Sequence, residues 1–141
     1  MKKALKLILV VAVMIFIFAF SSESGIRSTK RSDKVITVLF KKSKKTNHLI
    51  TFVRKSAHFI IYFLLGFLVI NLFMEFNLSS GKLIVFSLLF CCFYACSDEI
   101  HQLFIVGRSG SFFDVLLDTI SSFFGILFYK ALFWRKISKY W

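Results

Sequence analysis

Proline is absent from all 141 residues, and glycine occurs only 6 times. Without proline, no segment carries the residue that most strongly interrupts a helix. Acidic groups are scarce too: 7 Asp and Glu stand against 19 Lys and Arg, a formal net charge of +12. The three cysteines, Cys91, Cys92 and Cys96, lie in one apolar stretch with no CxxC pair and no partner elsewhere. They carry no redox or metal signal and read as reduced packing residues. No internal repeat or low-complexity tract is visible.

What remains is strongly apolar. Hydrophobic residues make up 57% of the chain and 20 residues are phenylalanine; mean hydropathy is +0.76. That much aromatic and aliphatic content excludes disorder. A soluble domain of this length leaves too much of its surface exposed to hide it. The apolar residues come in blocks without a 2- or 3.6-residue rhythm, which points to a membrane protein. Because the blocks leave no soluble domain to carry a nucleic-acid site, the basic excess is assigned to anionic lipid headgroups, with no nucleic-acid partner and no cofactor expected.

Four blocks are visible, at residues 7–20, 59–73, 83–96 and 115–134. A 14-residue helix covers only about 21 Å of a hydrocarbon core of roughly 30 Å, so each span must borrow flanking residues or thin the bilayer. The expectation is an all-α, four-transmembrane-helix bundle in a single domain: an N-terminal anchor at 1–20, a basic interfacial loop at 21–57 and a three-helix part at 58–134. The first block, with lysines before it and Ala19-Phe20-Ser21 after it, also has the form of a cleavable secretory signal; a retained anchor is the preferred reading. The 38-residue connection from 21 to 58 holds ten of the basic residues. Its segment around 35–53 reads equally as an interfacial helix or a solvated charged loop.

Alternation across four spans places four helix ends on one side of the membrane: the end of the first, the start of the second, the end of the third and the start of the fourth. Those ends carry Ser21, Ser22, Glu23 and Ser24, then Lys55 and His58, then Asp98, Glu99, His101 and Gln102, then Arg108 and Asp114. Ionisable groups gathered at one edge of the hydrocarbon mark a site. With the N-terminus inside, 8 basic residues lie inside and 11 outside, a lean against that orientation. The three lysines before the first helix favour it and take precedence, which puts the polar cluster at the outer leaflet.

Within the cluster, Asp98, His101 and Gln102 fall at i, i+3 and i+4 on one helix face. A carboxylate before a histidine can orient an imidazole or hold a metal. His58 and Asp114 are the further donors at hand, but their spacing fits no metal motif, so no metal is expected. Ser111 and Asp114 have capping-box spacing, and the preceding Gly107-Arg108-Ser109-Gly110 turn suits an anion. Arg108 is the only basic residue between Lys82 and Lys130; an internal salt bridge to Asp98, Glu99 or Asp114 is its expected partner, with a lipid phosphate as the alternative. Asp118 follows Asp114 by one turn and faces the same way, pairing with His58 or Arg108, keeping its proton, or bonding Thr119, Ser121 or Ser122. His58 and Tyr62 share a face, one turn apart. Gly66, Ser87 and Gly125 are available for helix contacts within or between chains, so a homo-oligomer stays open.

These residues resemble the VanZ-like family of bacterial membrane proteins. The matching stretches are Arg54-Lys55-x-x-His58-Phe59-x-x-Tyr62-x-x-Leu65-Gly66, Ser97-Asp98-Glu99-Ile100-His101-Gln102-Leu103-Phe104, Gly107-Arg108 and Asp114-Val115-x-x-Asp118-Thr119, with Ser21-Ser22-x-Ser24-Gly25 after the first helix. The likeness runs over residues 50–130. Val106 stands where the family commonly has proline, and Ser121 where it has glycine; the first loosens the turn that places Arg108 and the second widens a helix contact. The resemblance implies a multi-pass protein of the bacterial plasma membrane with a cell-envelope role, linked to glycopeptide (teicoplanin-type) resistance. It brings no catalytic mechanism. Three function classes follow: a binder of an anionic lipid or lipid-linked precursor headgroup; an enzyme on that headgroup, with His101, Asp98 and Glu99 as catalytic candidates; or a small proton-coupled carrier using Asp118 and His58.

Overall fold

The computed structural model describes residues 3–23, Lys30, 47–108 and 110–133. Helix α1 runs Lys3–Ser21, α2 Asn47–Phe73, α3 Ser80–Gln102 and α4 Phe112–Leu132; no strand occurs among the described residues. All four are long and apolar enough to cross a membrane, and the protein is a multi-pass, four-helix membrane bundle. The interfacial reading of 35–53 lies mostly outside the described residues. Its last part falls on α2, which opens at Asn47, ahead of the apolar block at Phe59.

Each helix extends past its apolar block at one or both ends. At 19 to 27 residues, they reach about 28 to 40 Å, close to or beyond the thickness of the hydrocarbon core. The added turns carry Lys55, His58, Asp98, Glu99, His101 and Asp114, which is why these ionisable residues end up on helices and not in loops. Outward faces carry large apolar side chains such as Phe16, Phe93 and Phe128, all at least half exposed, as lipid-facing surfaces require.

The interior forms two layers. Tyr62, Leu65 and Val69 of α2 meet Val10 and Ile17 of α1 and Cys91 and Ala95 of α3. Toward the other end, Ile70, Leu83, Ile126 and Tyr129 pack together. The tightest seam joins α2 to α4, and glycine makes it possible. A Cβ on Gly66 would lie 2.1 Å from the Ser122 carbonyl oxygen, and one on Gly125 would lie 2.0 Å from that of Phe63. Small residues allow such backbone approach where no hydrophobic force pulls helices together. The Ser122 hydroxyl donates across the seam to the Tyr62 carbonyl at 3.1 Å. Gly66, Ser87 and Gly125 are all buried within the bundle, so these contacts are made inside the chain. Ser121, in the place of the family glycine, is buried with its hydroxyl turned back onto the Leu117 carbonyl of its own helix. Cys91 is a core residue and all three cysteines are free.

Antiparallel alternation is visible at both ends. At one, Lys6 of α1 pairs with Glu75 after α2 and donates to the Asn71 carbonyl at 3.0 Å, while Tyr129 donates to the Asn71 side chain at 2.9 Å. The turn to α3 closes through Asn77 in the left-handed region, φ 52°. The opposite end collects the last turns of α1 and α3 with the first turns of α2 and α4.

Candidate functional site

Four helix ends build the polar centre, and α1 contributes more than its anchor composition suggests. Its last residue, Ser21, is fully buried and donates to Asp98 Oδ2 at 2.9 Å. Gln102, one turn beyond Asp98, donates to the same oxygen at 3.2 Å and to Glu99 Oε1 at 3.0 Å. Glu99 Oε2 accepts the backbone N–H of Ser111 at 2.8 Å. The start of α4 is therefore satisfied from α3. The Ser111 side chain makes no cap bond, and Asp114 is drawn away to Lys55, so the expected capping box is not formed.

Arg108 corrects a second expectation. Its Nε donates to the Glu23 carbonyl at 2.9 Å, one terminal nitrogen to the Phe20 carbonyl at 3.0 Å and the other to Gln102 Oε1 at 3.2 Å. The guanidinium braces the end of α1 against the α3–α4 connection and forms no salt bridge to Asp98, Glu99 or Asp114. Carbonyls at a helix C-terminus are acceptors without an intrahelical donor, and a planar fork fits several of them at once. Burial lowers the Arg108 pKa from its ordinary value, yet a guanidinium remains charged in a protein. Gly107 makes the placement possible: its φ of 77° lies where other residues are strained. Neighbouring bonds from Leu103 to Ile100, Phe104 to His101 and Ile105 to Gln102 tighten the chain beyond α3, with Val106 pointing out, 82% exposed.

Toward α2, Lys55 pairs with Asp114 at 2.7 Å, and His58 Nδ1 lies 3.5 Å from Asp118 Oδ2. Both carboxylates of α4 thus face α2, one turn apart. Asp118 is fully buried and Asp98 is 2% exposed. Apart from the His58 contact, neither Asp118 oxygen has a hydrogen-bond partner among the described residues, nor does Asp98 Oδ1 or the Tyr62 hydroxyl. His58 and Tyr62 stack with centroids 6.3 Å apart. A narrow cleft with room for about one water enters here, with Arg54, Lys55 and Asp114 around it and His58, Gln102 and Asp118 deeper.

His101 stands apart. Its Nε2 lies 3.0 Å from the Ser22 hydroxyl and its ring stacks on Phe18 at 4.4 Å. It makes no hydrogen bond with Asp98 or Glu99 among the described residues. Of the expected set, the structure gathers Lys55, His58, Asp98, Glu99, Gln102, Asp114 and Asp118 around one centre, with Arg108 bracing it and His101 on its α1 flank. Ser21, Arg54 and Tyr62 belong to the same centre, beyond the residues expected to bind a ligand. Alternation alone placed Ser21 on this side, and the helical repeat put Tyr62 below His58.

Comparison with known proteins agrees with the motifs. The family model described as VanZ/LLP1 matches residues 6–134, nearly the whole chain, and the protein belongs to that family. No curated protein and no solved structure matches it.

Proposed function

We propose that this VanZ/LLP1 member works in the bacterial plasma membrane by holding the anionic headgroup of a membrane lipid or lipid-linked envelope precursor at the outer leaflet. The observation that carries this reading is the pair of cations, Arg54 and Lys55, lining the entrance of the polar cleft beside lipid-facing helix surfaces. A phosphate at that entrance accepts charge-assisted bonds from both, and basic groups at the bilayer edge draw anionic lipids. The cleft is too narrow for a headgroup to enter, so the phosphate sits at its mouth. Lys55 is 44% exposed, and a partly solvated ion pair with Asp114 exchanges readily for a second anion. Arg108 supports the site by position, since carbonyls and Gln102 occupy its donors.

Sequestering a lipid-linked precursor makes it less accessible to a glycopeptide, which gives the resemblance to teicoplanin-type resistance a physical route without turnover. Headgroup hydrolysis through His101 has less support, because the imidazole faces Ser22 and Phe18 and, among the described residues, no carboxylate orients it.

The test is mass spectrometry of lipids that co-purify with gently solubilised protein, wild type beside Arg54→Gln/Lys55→Gln. Enrichment of an anionic or isoprenoid phosphate lipid in the wild type, lost in the double variant, is the expected result. Identical lipid profiles in the two overturn it.

A further inference from the structure

Three helices converge on a set of donors that the headgroup reading does not use. His58 of α2, Asp98 of α3 and Asp118 of α4 each offer one ligand atom, and these atoms lie within 4.8 Å of one another. Both carboxylates are buried. Ser21 and Gln102 hold Asp98 through Oδ2, which leaves Oδ1 as a fixed acceptor without a donor. The Asp118 oxygens accept no hydrogen bond among the described residues either, their one ion-pair neighbour there being His58 Nδ1 at 3.5 Å from Oδ2.

Lys55 and Arg108 are engaged elsewhere. Lys55 bonds Asp114, and Arg108 bonds two carbonyls and Gln102; neither forms an ion pair with Asp98 or Asp118. Glu99, the other acidic neighbour, takes the Ser111 N–H and Gln102. Two close carboxylates thus share a single imidazole within a helix bundle, where uncompensated charge is very costly. We infer that His58, Asp98 and Asp118 form a binding site for a divalent cation of the zinc or manganese type.

The donor set fits that chemistry. One imidazole nitrogen with carboxylate oxygens suits borderline divalent ions, and two carboxylates balance the ion's charge. Metal–ligand bonds of about 2.1 Å bring tetrahedral ligands to roughly 3.4 Å from each other, so the widest pair closes by up to about 1.4 Å on binding while His58 and Asp118 already stand at 3.5 Å. Three protein ligands leave a position for water, and His58 and Asp118 line the cleft through which ion and water enter. The bonds from Ser21 and Gln102 to Asp98 play the orienting part that such sites need. The sequence offers no reason to expect a metal, because Asp98, His101, His58 and Asp114 match no metal spacing; the group that converges has Asp118 in place of His101 and Asp114.

The test uses the full chain in detergent, stripped with a chelator, dialysed separately against Zn2+ and Mn2+, and assayed for metal per chain by elemental mass spectrometry. About one ion per wild-type chain is expected. Affinity falls at least about tenfold in Asp98→Asn, Asp118→Asn and His58→Gln, while His101→Ala keeps its metal. A wild-type chain that retains neither ion above the dialysis buffer overturns the inference, as does equal retention by all three cluster variants. Co2+ titration of the wild type gives an independent reading free of any folding defect in a variant: visible bands of a low-symmetry nitrogen–oxygen site support the proposal, and the spectrum of aqueous Co2+ alone overturns it. No lipid is added, so the outcome is separate from that of the headgroup reading.

Discussion

Ser21 and Asp98 meet across 77 residues of chain: the hydroxyl at the end of α1 donates to the carboxylate near the end of α3 at 2.9 Å, with both side chains buried. The bond makes the first helix part of the polar centre. Ser21→Ala removes one of the donors that hold Asp98. The expected cost is on the order of 1–3 kcal/mol, the penalty of leaving a buried acceptor short. Thermal or chemical unfolding in detergent measures it, and an unchanged midpoint would count against a buried Ser21–Asp98 contact.

Arg108 gives a sharper contrast. Its fork reaches three acceptors on two helix ends, which a lysine ammonium cannot reproduce in one plane. Arg108→Lys is therefore expected to lose nearly as much stability as Arg108→Ala. If lysine restores wild-type stability, the positive charge matters and the bracing geometry does not.

The α2–α4 seam makes a prediction with an internal control. Gly66→Ala and Gly125→Ala force a methyl onto backbone oxygens about 2 Å away, and overpacking of this kind costs about 1–3 kcal/mol or more. Gly81→Ala, with nothing within 4 Å, is expected to be neutral or slightly stabilising because alanine is the better helix former. Equal effects at all three positions contradict the seam.

Lys55 and Asp114 form the exposed pair of the centre, with side chains 44% and 22% accessible. A double-mutant cycle of Lys55→Ala and Asp114→Ala is expected to give a coupling of only about 0.2–1 kcal/mol, as for other solvent-screened pairs. A much larger coupling would mean that Lys55 is locked to Asp114 and unavailable to a phosphate.

The fold was legible because apolar blocks without proline leave few alternatives, and alternation then fixed which helix ends share a side. The polar centre was legible to that level and no further. Arg108 was expected to find a carboxylate, yet two of its three acceptors are the carbonyls of Phe20 and Glu23, groups that every residue carries and no sequence pattern marks. His101 was grouped with Asp98 by spacing. On the helix the closer neighbour in phase is Gln102, one turn on, and a small difference in rotation sends His101 to Ser22 while Asp98 meets His58 and Asp118. Ser111 and Asp114 had the spacing of a cap, but Glu99 and Lys55, distant in sequence, took their places as partners.

The central claim is that the polar ends of four helices form one centre on one face of the membrane. Labelling of single cysteines by an impermeant thiol reagent, in a background lacking Cys91, Cys92 and Cys96, tests it most directly. Lys55→Cys and Val106→Cys are expected to react from the same face, and Phe76→Cys and Gly81→Cys from the opposite one; the reactive face also gives the orientation. Reaction of positions 55 and 106 from opposite faces would contradict the account.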